Sequence, residues 1–212
     1  MLRRQGIPES NIIVMAYNDV PWEYENPFLG KLFNSHDERD WYEGCNMDYT
    51  TVDVTAQNFM AIMKGDESLL NLSKDSNATR KVLQGNDQSK VFLAFFDHGA
   101  PGQLMFPDSE LYADQLNETI QTMYEKKLYS EFILFIEACE SGSMFADIDL
   151  ESMNAWALTA TNATNPSFGT YCYPHDKIKG NHMYTCLGDL FSVSWMEYLE
   201  ANESKLRELT LK

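Results

Sequence analysis

Positive charge is scarce in this chain. Sixteen Lys and Arg stand against 32 Asp and Glu, a formal net charge of −16 at pH 7. Nucleic acid and anionic membrane surfaces both want a basic patch, so neither is an expected partner. The imbalance suits an acidic compartment, where part of the charge is titrated away, and equally a plain soluble acidic surface. No apolar run approaches the length of a membrane span, and no signal-peptide pattern stands at Met1. No glycine-rich phosphate loop follows a strand pattern, and no internal repeat or low-complexity tract occurs. Histidine is rare too. His36 sits in a charged loop, and His175 and His182 flank a turn from Pro174 to Gly180. With Cys172 and Cys186 they match zinc-ligand spacing only loosely, so neither a metal nor a cofactor is expected. Of four cysteines, Cys172 and Cys186 border one loop-like stretch and could close it or stay free, while Cys45 has no obvious partner.

What the chain does have is core material. A hydrophobic content of 44% with 13% aromatics excludes a disordered polymer, and 212 residues suffice for one α/β domain, residues 1–212. Two apolar runs of buried-strand length each stop on a reactive side chain. Lys90 to Phe96 leads into Asp97-His98-Gly99, and Phe132 to Ile136 leads into Glu137-Ala138-Cys139. Ser109 to Lys127 between them reads as a helix, with Leu111, Leu116, Ile120, Met123 and Tyr124 near helical spacing. Strand, helix and strand form a right-handed crossover that lays the strands parallel. Parallel strands share a C-terminal edge, where open α/β sheets place their ligands. His98 and Cys139 are therefore expected side by side.

That pairing has a chemical purpose. A free thiol is mostly protonated near neutral pH; an adjacent imidazole takes the proton and leaves a nucleophilic thiolate. The N–H groups of Gly99 and Cys139 are the natural donors to a developing oxyanion. The competing reading is an inert cysteine ending a core strand.

Asp97-His98-Gly99-Ala100-Pro101-Gly102 and Glu137-Ala138-Cys139-Glu140-Ser141-Gly142-Ser143 resemble the two active-site motifs of the legumain family, asparaginyl endopeptidases of caspase-like fold. Gly6-Ile7-Pro8, Asp48-Tyr49-Thr50, Val54 to Phe59, Leu116 to Thr119, Cys186 to Asp189 and Ser194 to Glu197 extend the resemblance over almost the whole chain. The separation of His98 and Cys139 by 41 positions is comparable with the roughly 50 of caspases. The resemblance implies a three-layer αβα fold with a mostly parallel sheet, and cleavage of peptide bonds after Asn, or after Asp in acid, through a Cys–His dyad. It also implies that Glu137, Asp189 and Ser167 line the substrate pocket, and that Cys172 and Cys186 form a cystine loop like that of plant members. Protein or peptide substrates, cystatin-type inhibitors and a lysosomal or vacuolar setting follow in the same way. An Asn side chain offers a donor NH₂ and an acceptor C=O, so acidic groups match one half of it. Asp189 also fits a helix cap. Pro166 stands where plant relatives carry the first of two serines, and it removes a backbone donor.

Leu2 to Pro8 reads as a helix end, with Arg4 in its last turn and Gly6 past it. The resemblance places a first strand and helix before this point, and a helical prodomain after the C-terminal helical pattern of Leu187 to Leu211. A fragment is therefore expected. Further strands are expected at Ile12 to Ala16 and Ala155 to Thr161, a helix at Val54 to Gly65 capped by Thr55, and loops at Asn18 to Asn46 and Asn162 to Gly180. Five Asn-x-Ser/Thr sequons begin at Asn71, Asn77, Asn117, Asn162 and Asn202. Two other functions compete: ligation or transamidation through the same acyl-enzyme, and a non-catalytic binding protein.

Overall fold

A computed structural model describes Arg3 and residues 6–203. Its centre is a parallel three-stranded sheet. The first strand, β1 (Lys90–Phe96), runs into a small antiparallel unit of β2 (Gly99–Ala100), β3 (Gln103–Phe106) and β4 (Ser109–Tyr112). Helix α2 (Ala113–Glu125) follows, preceded in the chain by α1 (Ala56–Met63). The central strand β5 (Glu131–Glu137) pairs with β1 from Lys90↔Glu131 to Phe96↔Glu137, and on its other side with β6 (Ala155–Thr159).

Side-chain alternation along β5 builds the layers. Phe132, Leu134 and Ile136 point to one face and pack with Leu116, Ile120 and Met123 of α2 and with Ala56 and Met63 of α1. Phe135 points to the other face, where its ring meets Phe191 at 5.8 Å and Trp195 at 5.3 Å. Both belong to α3 (Leu190–Ala201). Helices thus cover both faces of the sheet, the three-layer αβα arrangement. Thr55 caps α1 through its hydroxyl, which accepts from Asn58 N–H at 3.1 Å.

Several expectations change, among them the start of the last helix, which falls at Leu190 rather than Leu187. Ser109 to Tyr112 is strand β4 rather than the opening of α2, because its pairing with β3 lets Leu111 and Leu104 bury fully against each other's ladder. Ile12 to Ala16 is not a strand of the sheet. Its backbone bonds are spent on the Asp48–Tyr49 segment: Val14 N–H reaches Asp48 Oδ2 at 2.9 Å, and Val14 O accepts from Tyr49 N–H. Between it and the outer edge of β1 lies an apolar groove of about 730 Å³, bordered by Ile13, Met15, Val91, Leu93 and Phe95. The strand expected to reach Thr161 stops at Thr159. Gly6 has the expected positive φ, +86°, and its N–H bonds Arg3 O; Met1, Leu2, Arg4 and Gln5 lie outside the described residues. So does the end of the last helical pattern, residues 204–212.

Candidate active site

The parallel register decides where the reactive groups fall. Phe96 pairs with Glu137, so His98 and Cys139 each lie two residues beyond a matched pair, at one edge of the sheet. Asp97 N–H donates to Glu137 O at 3.2 Å, which carries the alignment past the strand ends. Gly99 then presses against the cysteine turn. A Cβ there would lie 2.5 Å from Cys139 O and 2.9 Å from Ala138 Cβ, so only glycine allows this approach. His98 is exposed and Cys139 is half-buried. Glu140 follows the cysteine in the left-handed region at φ +47°, and its N–H is held by Asn165 O at 2.9 Å.

The cysteine sulfur has a neighbour of its own. Ser167 N–H donates to Cys139 Sγ at 3.3 Å, and the Ser167 hydroxyl lies 3.5 Å from it. Pro166 removes its own donor, but the next amide in the chain is the one that meets the sulfur. A backbone donor thus fixes the position of the sulfur in the cleft.

Beyond Ser167 the chain forms β7 (Gly169–Thr170). A hairpin of β8 (Lys177–Ile178) and β9 (Asn181–His182) follows, and then β10 (Gly188–Asp189) pairs back on β7. Cys172 and Cys186 are joined by a disulfide that closes this excursion. The ladder pairs Asp189 with Gly169, two residues from Ser167, and so brings Asp189 to the cleft.

Asp189 precedes α3 but makes no side-chain cap. The first turn is served instead by Glu137, whose Oε2 accepts from Ser192 N–H at 2.8 Å and Ser192 Oγ at 2.6 Å. Glu137 is 3% exposed, and its Oε1 has no hydrogen-bond partner among the described residues. Burial pushes the Glu137 carboxyl above its usual range; the Ser192 bonds oppose this and the Asp189 charge adds to it. Burial raises Asp189 as well, with the His98 charge pulling the other way. That coupling puts His98, Asp189 and Glu137 in one electrostatic neighbourhood.

The remaining histidines lie apart from this cleft in their bonding. His182 Nδ1 is 2.6 Å from the buried Asp176 carboxylate in the hairpin, and His36 packs on Tyr171 at 4.4 Å. Cys45 is an exposed free thiol. No group of three or more candidate metal ligands occurs among the described residues, and no described helix is long and apolar enough to cross a membrane. Sequence reasoning missed Ser192 and the contact of Ser167 with the sulfur. Neither leaves a pattern in the sequence, since each depends on a partner 55 or 28 positions away.

A thiol and an imidazole at matched ends of parallel strands, in three αβα layers, define the class of caspase-like cysteine peptidase folds. The chain belongs to the peptidase C13 family, whose model matches residues 1–212. It is 40% identical over 196 residues to hemoglobinase of Schistosoma mansoni, covering 92% of this chain and 42% of that protein. It is 40% identical over 210 residues to legumain of Mus musculus, covering 99% of this chain and 44% of that protein. The vacuolar-processing enzyme delta-isozyme of Arabidopsis thaliana is 37% identical over 198 residues, with 93% and 41% covered. The chain thus spans less than half the length of these relatives.

Proposed function

We propose that this chain carries the catalytic centre of a cysteine endopeptidase that cuts after Asn, with His98 as general base and Cys139 as nucleophile. The observation that carries the reading is the shared register of the two residues beyond the Phe96–Glu137 pair, with Gly99 packed on the cysteine carbonyl. His98 takes the thiol proton, and the thiolate attacks the scissile carbonyl. The N–H groups of Gly99 and Cys139 hold the oxyanion. The tetrahedral intermediate collapses to an acyl-enzyme, the leaving amine takes a proton from His98, and water hydrolyses the thioester. No cofactor is called for.

Specificity follows from the acids. Unprotonated Glu137 and Asp189 accept from an Asn side-chain NH₂, and Glu137 Oε1 has a free acceptor face for it. Their raised affinity for protons means that acid turns them into hydroxyl donors, which then suit the carboxyl of an Asp residue. Cleavage after Asp in acid is the result. The name of one relative, vacuolar-processing enzyme, supports a vacuolar processing role, and a lysosomal setting stays with the family resemblance. The test is incubation with a peptide containing one Asn and one Asp across acid to neutral pH, with and without an added amine. Cleavage after Asn that is lost in Cys139→Ala supports the reading. Amide transfer in place of hydrolysis makes it a ligase or transamidase, and neither product overturns the enzyme reading.

A further inference from the structure

For His98 to serve Cys139, the two loops that carry them must keep a fixed separation. The histidine loop is tied at its start, where Asp97 N–H donates to Glu137 O. It then turns through Ala100-Pro101-Gly102-Gln103 between β2 and β3. Proline followed by a glycine at φ +73° is what a type II turn demands. The Gly102 N–H is not used within the turn. It crosses to the cysteine turn and donates to Ser143 Oγ at 2.7 Å. The same hydroxyl donates to Glu140 O at 2.6 Å, and Ser143 N–H reaches that carbonyl at 2.8 Å. Glu140 is the left-handed residue directly after Cys139. The histidine loop is thus tied at both ends to the cysteine segment, with His98 between the ties.

We propose that Ser143 is a positioning residue for the dyad. Its hydroxyl, held between Gly102 N–H and Glu140 C=O, braces the far end of the histidine loop and so sets the reach between imidazole and sulfur. This rests on the dyad reading above. Alanine at this position leaves the cysteine turn its Ser143 N–H bond to Glu140 O, but leaves Gly102 N–H without its acceptor among the described residues. A small misplacement between catalytic groups costs far more in reactivity than one hydrogen bond costs in stability.

The test needs no turnover and uses the 212-residue chain. Iodoacetamide alkylation is followed as a function of pH, with modified Cys139 and Cys45 separated by peptide mass spectrometry; exposed Cys45 is the internal reference. In the unaltered protein Cys139 is expected to react faster than Cys45 at the same pH. His98, Asp189, Glu137 and Glu140 are the charged neighbours that shape this profile. Ser143→Ala shifts the Cys139 profile upward and lowers its rate near pH 6 by about tenfold, the Cys45 profile stays put, and Ser143→Thr restores the original curve. An unchanged Cys139 profile in Ser143→Ala, alongside a shifted one in His98→Ala, overturns the bracing role alone. An unchanged profile in His98→Ala overturns the dyad and the brace together. Hydrogen exchange of the Gly102 amide in the unaltered chain decides even if Ser143→Ala fails to fold. Slow exchange is expected, and exchange at the rate of an open peptide overturns the proposal.

Discussion

Glu137, at the end of the central strand, caps helix α3 through Ser192, 55 residues away in sequence. A helix start is ordinarily capped by the residue just before it. Here the carboxylate of a neighbouring strand fills that place, which leaves Asp189 without a capping duty and open to the cleft. One interaction therefore anchors α3 on the sheet and leaves Asp189, whose charge couples to that of His98, free of the helix start.

A pH signature follows. The Glu137 carboxyl is raised above its ordinary 4.5 by burial. A group whose folded pKa is raised binds protons more tightly in the folded state. Its contribution to stability is complete below 4.5 and is lost as pH climbs through the folded pKa. Glu137→Gln keeps an acceptor for Ser192 but cannot ionise. Urea midpoints measured from acid to neutral pH should fall less steeply for Glu137→Gln than for the unaltered chain. Parallel slopes would show that another group carries the dependence.

Cys139→Ala and His98→Ala should each remove activity toward an Asn peptide while the circular dichroism spectrum is kept. A nucleophile and its base act as a unit, so the double variant should be no worse than either single one. Single-turnover assays with an amine-trapped acyl group report this directly; substantial turnover in Cys139→Ala rules out the thiol route.

Gly99→Ala should be disproportionately harmful. The added methyl meets a backbone carbonyl oxygen at 2.5 Å, and neither side of that contact is the flexible end of a side chain. Overpacking of this kind costs about 1–3 kcal/mol. Thermal unfolding should register that loss, and peptide cleavage should drop further if the displaced N–H serves the oxyanion as proposed.

The outer edge of β1 is the surface most open to self-association. Among the described residues β1 pairs with β5 on one side only, and Phe92 and Phe96 beside that edge are nearly half exposed. Unpaired strand edges template further pairing, and a charged side chain blunts them. Sedimentation of the chain should shift with concentration, and Phe92→Lys should reduce that shift. Concentration-independent sedimentation of the unaltered chain would mean the edge is already protected.

The fold was legible wherever a local pattern met one consistent rule. β1, β5 and α1 show apolar runs or a capped amphipathic turn, and the parallel register of β1 on β5 follows from the crossover argument. The misread segments are those whose pattern serves two periods. Leu111 fits both a helical face and a paired strand, and only its partner Leu104 on β3 decides between them. Ile12 to Ala16 is apolar enough for a sheet strand, yet its hydrogen bonds go to Asp48 and Tyr49, a choice made by side chains more than thirty positions away. The placement of His98, Gly99 and Cys139 at one sheet edge could be read from motif and topology. Ser143 and Ser192 could not, because a lone serine announces nothing until its partners are folded around it.

The disulfide between Cys172 and Cys186 has a consequence for where such a pocket can persist. It staples the ends of the excursion between β7 and β10, and that two-stranded ladder is what presents Asp189 to the cleft. In the loop-closure picture a bridge over about 15 residues is worth about 3 kcal/mol. Reduction would release that constraint at the specificity pocket while leaving the parallel sheet, with its own dense core, in place. The proposed recognition acid is therefore coupled to the ambient thiol potential: an oxidising milieu holds the segment around Asp189 together, and a reducing one loosens it before it touches the sheet edge that carries Cys139.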